Sequence, residues 1–302
     1  MPPDQTVVVD RALAGPDQAA VRRLVADSQA ADGSPGLNES ALLHLKRSDA
    51  RLRHLRALSE GDLVGYGQLE IGDGRATGQV VVAPDRRREG IGTRLVERML
   101  GETPQRLQIW AAGDGPAAQA LAAKTGLQPV RTLLIMRRPL AGDLPIPDPV
   151  TGVTIRTFAP GRDEQAWLAV NAAAFADHPE QGRLGIDDLR DRMAESWFDP
   201  AGFFLATRDD ALVGFHWTKQ HHDHLGEVYV LGVHPSAGGH GLGKVLLLTG
   251  LRHLEQRGNT AVQLYVEADH ARALGLYRAY GFTTVNRDVM YAQQADPAVQ
   301  ES

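Results

Sequence analysis

Apolar positions along the chain switch between two periods, and the switches come in one order, twice. The β-branched stretch GQVVVA at 78–83 predicts a buried strand, and the apolar spacing of TRLVERMLGE at 93–102 predicts a helix. RLQIWA at 106–111 reads as a further strand, GPAAQALAAKTG at 115–126 returns to helical spacing, and QPVRTLLIMRR at 128–138 reads as a closing strand. The same order recurs over 227–293: EVYVLGVH, KVLLLTGLRHLEQRG, TAVQLYVEA, HARALGLYRAYG and TTVNRDVMYAQ. Ahead of each block lie a helical pattern (15–32 and 161–177) and two strands joined by short polar turns, EGD at 60–62 and RDD at 208–210.

Superposing Pro84 on Pro235 aligns the two series, and Gly90 and Gly241 each follow six residues later. Order, element type and this spacing all agree, so the chain reads as a duplicated domain of α/β (α+β) class. Residues 137–153, RRPLAGDLPIPDPVTGV, carry four prolines. Proline lacks a donor N–H and cannot enter a sheet interior, so a semi-rigid linker is expected there. The expected division is a first domain over 1–140, a Pro-rich linker over 141–152 and a second domain over 153–302.

Composition removes several function classes. A net charge of −5 argues against a general nucleic-acid binder. No apolar run is long enough to cross a bilayer, so no membrane partner is expected. The stretch MPPDQTVVVDRALAGPD has neither the basic nor the apolar region of a secretory signal. Cysteine is absent, which removes disulfides, thiolate metal sites and cysteine nucleophiles. A cytoplasmic chain is expected, and a monomer, since the fused halves already offer a domain partner. FHWTKQHHDH at 215–224 is rich in histidine, but His221, His222 and His224 at a hairpin end do not share one face. They read as solvated loop residues, and no metal is expected.

The stretch HPSAGGHGLGK at 234–244 sits between a strand and a helix, as does APDRRREGIGTR at 83–94. The first amides of a helix have no internal partner and carry partial positive charge, and glycines let an anion approach them. A lone G-x-G reads as turn geometry; its recurrence in one structural context reads as a pair of phosphate cradles. The order strand, proline, G-x-G, long helix, strand, helix ending Y-x-x-x-G-F, strand resembles the GCN5-related N-acetyltransferases. In that family the signature [QR]-x-x-G-x-[GA] cradles the pyrophosphate of acetyl-CoA. Arg87, Arg88, Glu89, Gly90, Ile91 and Gly92 fit it fully. Gly238, Gly239, His240, Gly241, Leu242 and Gly243 fit it except that Gly238 replaces Gln or Arg.

The resemblance implies two tandem domains, each with a mixed central sheet opened by a V-shaped splay and flanked by helices. It implies acetyl-CoA as co-substrate, held by Val80, Val81, Val82 and the first loop through Thr93, and by Leu231, Gly232, Val233, the second loop through Lys244, and Phe282.

Acetyl transfer needs a neutral amine, donors for the thioester oxygen and an acid for the departing thiolate. In the family a tyrosine of Y-x-x-x-G-F supplies the acid and a carboxylate on the splayed strand the base. Tyr277 stands four residues before Gly281, and Glu227 eight before Pro235; the first half has Ala122 and Ala76 at these counts. Catalysis is therefore expected in the second half. By spacing alone Tyr277 reads equally as a core aromatic, and Tyr291 on the last strand is a second candidate acid. FADHPEQG, GFHWTK and GEVYVLGVHP resemble a tandem branch of the family that acetylates the cysteinyl amine of cysteinyl-glucosaminyl-inositol. Such an acceptor needs several hydrogen-bonding side chains, and Glu39, Glu180, Lys219, Glu227 and Tyr277 are candidates. Another small amine (aminoglycoside or polyamine), a protein N-terminus, or acetyl-CoA sensing without catalysis are the alternatives.

Overall fold

The computed structural model describes residues 5–72, 74–140, 142, 144–178 and 180–294. Contacts divide it into two compact units, one of residues 1–133 with 286–302 and one of residues 134–285. The first holds β1 (Gln5–Asp10), α1 (Gly15–Asp32), α2 (Glu39–His44), β2 (Leu52–Ser59), β3 (Asp62–Ile71), β4 (Arg75–Val82), α3 (Ile91–Glu102), β5 (Arg106–Ala111) and α4 (Pro116–Lys124). β6 (Gln128–Pro139) begins in this unit and ends in the second. The second unit continues with β7 (Thr154–Thr157), α5 (Glu164–Ala174), α6 (Ile186–Met193), β8 (Phe203–Arg208), β9 (Ala211–Gln220), β10 (Leu225–Val233), α7 (Leu242–Gln256), β11 (Ala261–Glu267), α8 (Ala271–Ala279) and the start of β12 (Thr283–Ala292). Among the described residues no helix is long and apolar enough to cross a membrane.

Within the first unit the sheet order is β1-β2-β3-β4-β5-β12, and within the second it is β6-β11-β10-β9-β8-β7. Each is mixed: β4–β5 and β10–β11 are parallel, and their other described ladders are antiparallel. The expectation that each half closes with its own last strand is corrected here. Val289 pairs with Ala111 and Tyr291 with Ile109, so the end of the chain completes the first sheet. Val289 and Tyr291 bury against Leu107, Ile109 and Met99, while Met136 of β6 buries against Leu247 and Leu264 of the second unit. Each closing strand carries a short contiguous apolar run, LLIM in β6 and VMYA in β12, and such a run does not specify which sheet it completes.

The linker reading changes as well. β6 stops at Pro139, as proline requires, but Leu140 and Leu144 lie in the second unit's core. Leu140 N–H donates to Thr260 O at 2.8 Å, and Arg252 Nη1 donates to Leu144 O at 3.0 Å. The segment is a packed part of the second unit rather than a spacer between domains over 1–140 and 153–302.

In both units one long helix packs on the β-strands that bracket the splay. Leu95 and Met99 of α3 cover β2–β5, and Leu247, Leu251 and Leu254 of α7 cover β10 and β11. The two contacts use complementary sizes. In the first unit Gly67 of β3 leaves room for Met99, whose Cε would sit 2.5 Å from an added Cβ. In the second, strand and helix exchange bulk: His216 takes the place of Gly67, and Gly250 that of Met99. A Cβ at Gly250 would overlap the His216 ring at 2.1 Å, so only glycine admits this histidine. On the opposite face of the second sheet, Trp167, Phe203, Phe215 and Trp217 form an aromatic core, with Phe203 stacked on Trp217 at 4.5 Å.

Candidate active site

The two glycine loops share one backbone path. A short 3₁₀ turn, Pro84–Arg86 or Pro235–Ala237, follows the strand. Arg87 and Gly238 are then extended (φ −70° and −67°), Arg88 and Gly239 left-handed (φ +69° and +86°), and Gly90 and Gly241 left-handed again (φ +82° and +79°). Gly90 and Gly241 are the N-caps of α3 and α7, and no side chain caps either helix. The first amides of each are left to a ligand. Space above Gly239 and Gly241 is open, with no atom within 4 Å of where a Cβ would stand. Ile91, Gly92 and Thr93 form the first turn of α3, as Leu242, Gly243 and Lys244 do in α7. This fits a diphosphate held by backbone donors.

The side chains around the two loops differ. The Arg87 guanidinium donates to both carboxylate oxygens of Asp32 at 2.7 and 2.8 Å and to Ser28 Oγ at 3.2 Å. That hydrogen-bonded pairing holds the Asp32 carboxyl below its usual range. Glu89 is bound by Arg86 and Gln5. In the second loop His240 Nδ1 lies 2.9 Å from Gly238 O, and Gly238 has no side chain at all. Arg272, near the start of α8, brings both terminal nitrogens to 3.9 Å from where a Gly238 Cβ would be. Its counterpart five residues before Ala122 is Ala117. His240, Gly241 and Lys244 also border a cleft of about 420 Å³ with Arg208 and residues 148–151.

The strands that feed the loops separate the units further. The parallel β4–β5 ladder runs from Arg75 to Gln79, and the β10–β11 ladder only from Leu225 to Val228. Beyond these points lie Val80, Val81 and Val82 in one unit and Leu231, Gly232 and Val233 in the other. The β3–β4 register is unbroken, whereas β9–β10 carries a bulge between Val228 and Val230. Tyr229 is the extra residue, which bends the strand where the sheet opens.

The bulge also corrects the counterpart of Glu227. Counting back eight residues gives Ala76, but the inserted residue shifts the ladder by one. Glu227 pairs with Lys219 as Thr77 pairs with Glu70, so Thr77 is the structural equivalent. It is likewise not a carboxylate. For Tyr277 the count holds: Phe282 N–H donates to Tyr277 O at 3.1 Å, as Leu127 N–H does to Ala122 O at 2.9 Å.

Glu227 is buried, 6% exposed, and Oε2 is 2.7 Å from His221 Nε2 and 3.2 Å from Gln263 Nε2. Opposite it, Lys219 lays its ammonium over Trp197 at 4.4 Å and Tyr229 at 5.2 Å, and Arg192 Nε donates to the Tyr229 hydroxyl at 2.9 Å. Tyr277 packs edge-on to Phe282 at 5.7 Å in the core that also holds Val228 and Leu231. Burial pushes its phenol up to about 12, so it holds its proton at neutral pH. Its hydroxyl has no hydrogen bond among the described residues.

Two candidates lie in the first unit. Tyr291 belongs to the first unit, where its hydroxyl donates to Asp114 Oδ1 at 2.6 Å beside Arg287. Burial, then the Asp114 carboxylate, push it up to about 12. Glu39 also belongs to the first unit and opens α2 behind the Asn38 N-cap. Glu180 is in the second unit, exposed, 3.8 Å from His178, which is itself 3.8 Å from Glu267. Sequence reasoning missed His221, Gln263 and Arg272. A signal existed for two: His221 stands two residues after Lys219 and so on its strand face, and Gln263 is a lone polar residue inside an apolar strand.

Twin cradles at splayed strands define a tandem acyl-CoA-binding fold. The family model described as Acetyltransferase (GNAT) family matches residues 20–127 and again 168–282. A mycothiol acetyltransferase from Thermomonospora curvata is 51% identical over 292 residues, spanning 95% of this chain and 97% of that protein. One from Catenulispora acidiphila is 49% identical, spanning 91% and 95%. A solved tandem GNAT protein from the clavulanic acid biosynthesis pathway shares the fold, with a TM-score of 0.72 at 19% identity over 97% and 99% of the chains. The chain belongs to the GNAT acetyltransferase family, in the branch that these mycothiol acetyltransferases form. It is an acetyl-CoA-dependent N-acetyltransferase built from two tandem domains.

Proposed function

We propose that the second unit transfers the acetyl group of acetyl-CoA to the cysteinyl amine of cysteinyl-glucosaminyl-inositol, forming mycothiol. The acceptor follows from the relatives' name and from their near-complete coverage. The chemistry rests on one observation: a buried carboxylate, Glu227, stands on a bulged strand at the mouth of a splay whose counterpart carries Thr77 on an unbulged strand.

In this reading the diphosphate lies on the amides of the second loop, with Arg272 taking the part of the missing loop side chain. The thioester carbonyl meets backbone donors of β10 beyond Val228. Glu227 Oε1 takes a proton as the amine nitrogen bonds to the acetyl carbon. An α-amino group titrates near ~7.7–8, so a carboxylate base suffices. The C–S bond then breaks, and Tyr277, still protonated at neutral pH, gives its proton to the leaving sulfur. Tyr277 rather than Tyr291 takes the acid's part in this scheme, since the Tyr291 hydroxyl already donates to Asp114. Lys219 and Glu180 are proposed acceptor contacts.

The test is turnover of acetyl-CoA with cysteinyl-glucosaminyl-inositol, spermidine and an aminoglycoside, followed by mass detection of the acetylated product. The first acceptor is expected to show the highest kcat/KM. Faster turnover of either other amine overturns the acceptor, and no thiol release with any amine overturns the enzyme mechanism.

A further inference from the structure

His221 has no role in the scheme above, and its sequence context, HHDH at 221–224, reads as a solvated turn. Its position says otherwise. Two N–H donors, His221 Nε2 and Gln263 Nε2, converge on the same oxygen of Glu227, Oε2. The other oxygen, Oε1, makes no hydrogen bond among the described residues and is not sealed from solvent.

The donors come from opposite sides of the strand. Gln263 lies directly across the parallel ladder from Glu227. His221 follows β9, on a tightly held turn: its N–H donates to Leu225 O at 2.8 Å, and Asp223 and His224 adopt left-handed φ values of +61° and +57°. Thr260 N–H donates to His224 O at 2.8 Å, fixing the turn from its other side. The imidazole therefore stands on a rigid mount. The terminal torsion of a glutamate is broad and roughly two-fold, so an unheld carboxylate presents either oxygen in many orientations. Two donors on one oxygen remove that freedom.

We propose that His221 is a positioning residue for acetyl transfer: with Gln263 it pins Oε2 and so presents Oε1 to the acceptor amine. This rests on the reading of Glu227 as the base. In the first unit Gln108 keeps the place of Gln263, but Gly72 stands where His221 does and there is no carboxylate at Thr77 to hold.

The test is a double-mutant cycle on the full chain with acetyl-CoA and cysteinyl-glucosaminyl-inositol. A misplaced base costs up to roughly a hundredfold. His221→Ala is expected to lower kcat by roughly ten- to a hundredfold, with the KM for acetyl-CoA unchanged. His221→Gln, which keeps an N–H donor at similar reach, is expected to recover most of that loss. In a Glu227→Gln background, His221→Ala is expected to cost almost nothing further. A wild-type kcat for His221→Ala overturns the proposal, and so does a loss that persists at full size in the Glu227→Gln background. Failure of the underlying reading looks different: Glu227→Gln alone would then keep the wild-type rate.

Discussion

The two glycine loops have one backbone and different side chains, whereas the strands leading into them have different backbones. In the proposed function that contrast separates binding from chemistry. A diphosphate needs amides in a fixed path, and both units keep it, from the extended residue after the 3₁₀ turn to the left-handed glycine that caps the helix. Acyl transfer needs a group aimed at a reacting atom. Only the second unit has the Tyr229 bulge, the clamped carboxylate and the buried phenol there. The first unit has instead Thr77, Ala122 and a regular ladder.

Exchanging the proposed catalytic residues is the hardest strike at this division. Glu227→Gln is expected to lower kcat/KM by roughly 10²–10³-fold, within the usual reach of a general base. Adding Thr77→Glu to that variant is expected to restore nothing, because the first unit has Gln108 across the ladder but lacks both the bulge and the histidine that hold the carboxylate. Steady-state kinetics with the cysteinyl acceptor reads both. Recovery in the double variant would show that a carboxylate alone makes either half an enzyme.

The helix–sheet contact gives the next largest effect. His216 is fully buried, and burial pushes its imidazole down to about 4. In the unfolded chain it titrates near ~6.5. The unfolded state therefore binds more protons between these values, and stability falls as pH drops through the window. The full loss is on the order of 3 kcal/mol at the bottom of it. Denaturant midpoints followed by tryptophan fluorescence report chiefly on this unit, which holds Trp167, Trp197 and Trp217 of the four tryptophans. The paired change His216→Gly with Gly250→Met installs the first unit's arrangement and is expected to flatten the acid slope. An unchanged slope would assign the acid sensitivity to other groups, such as the buried His54.

Much of this was legible in the chain, for identifiable reasons. The duplicated order of elements follows from periodicity, and the loops from glycines set six residues after a proline. What escaped needed knowledge of partners. The closing strands exchange sheets, and their short apolar runs, LLIM and VMYA, do not say which sheet each completes. The counterpart of Glu227 was displaced by one residue, since a bulge adds a residue without altering the apolar pattern. His221 looked like a turn residue until its neighbour across the hairpin was known, and Arg272 sits on a helix far in sequence from the loop it approaches.

Arg272 offers a milder test of the loops. Arg272→Ala is expected to weaken CoA binding to the second unit roughly tenfold, as for one exposed charge-assisted contact. Calorimetry with CoA, dephospho-CoA and pantetheine separates the phosphates. Equal loss with the first two and none with pantetheine assigns the contact to the diphosphate. Adding Gly238→Arg, which places the cation where the first loop has it, is expected to restore affinity. If it does not, the two arginines are not equivalent.

The smallest effect concerns backbone strain in the shared path. Arg88 and Gly239 occupy the same left-handed position, at φ +69° and +86°. A side chain there costs about 1 kcal/mol, which glycine avoids at the expense of a more flexible unfolded chain. Gly239→Ala is therefore expected to destabilise the second unit by about 1 kcal/mol. Arg88→Gly should leave the first unit unchanged or slightly more stable, since relief of strain and added chain entropy nearly cancel. Denaturant midpoints of the two variants decide it. A loss for Arg88→Gly as large as that for Gly239→Ala would mean that the Arg88 side chain supports the first loop, and that the two loops keep one path by different means.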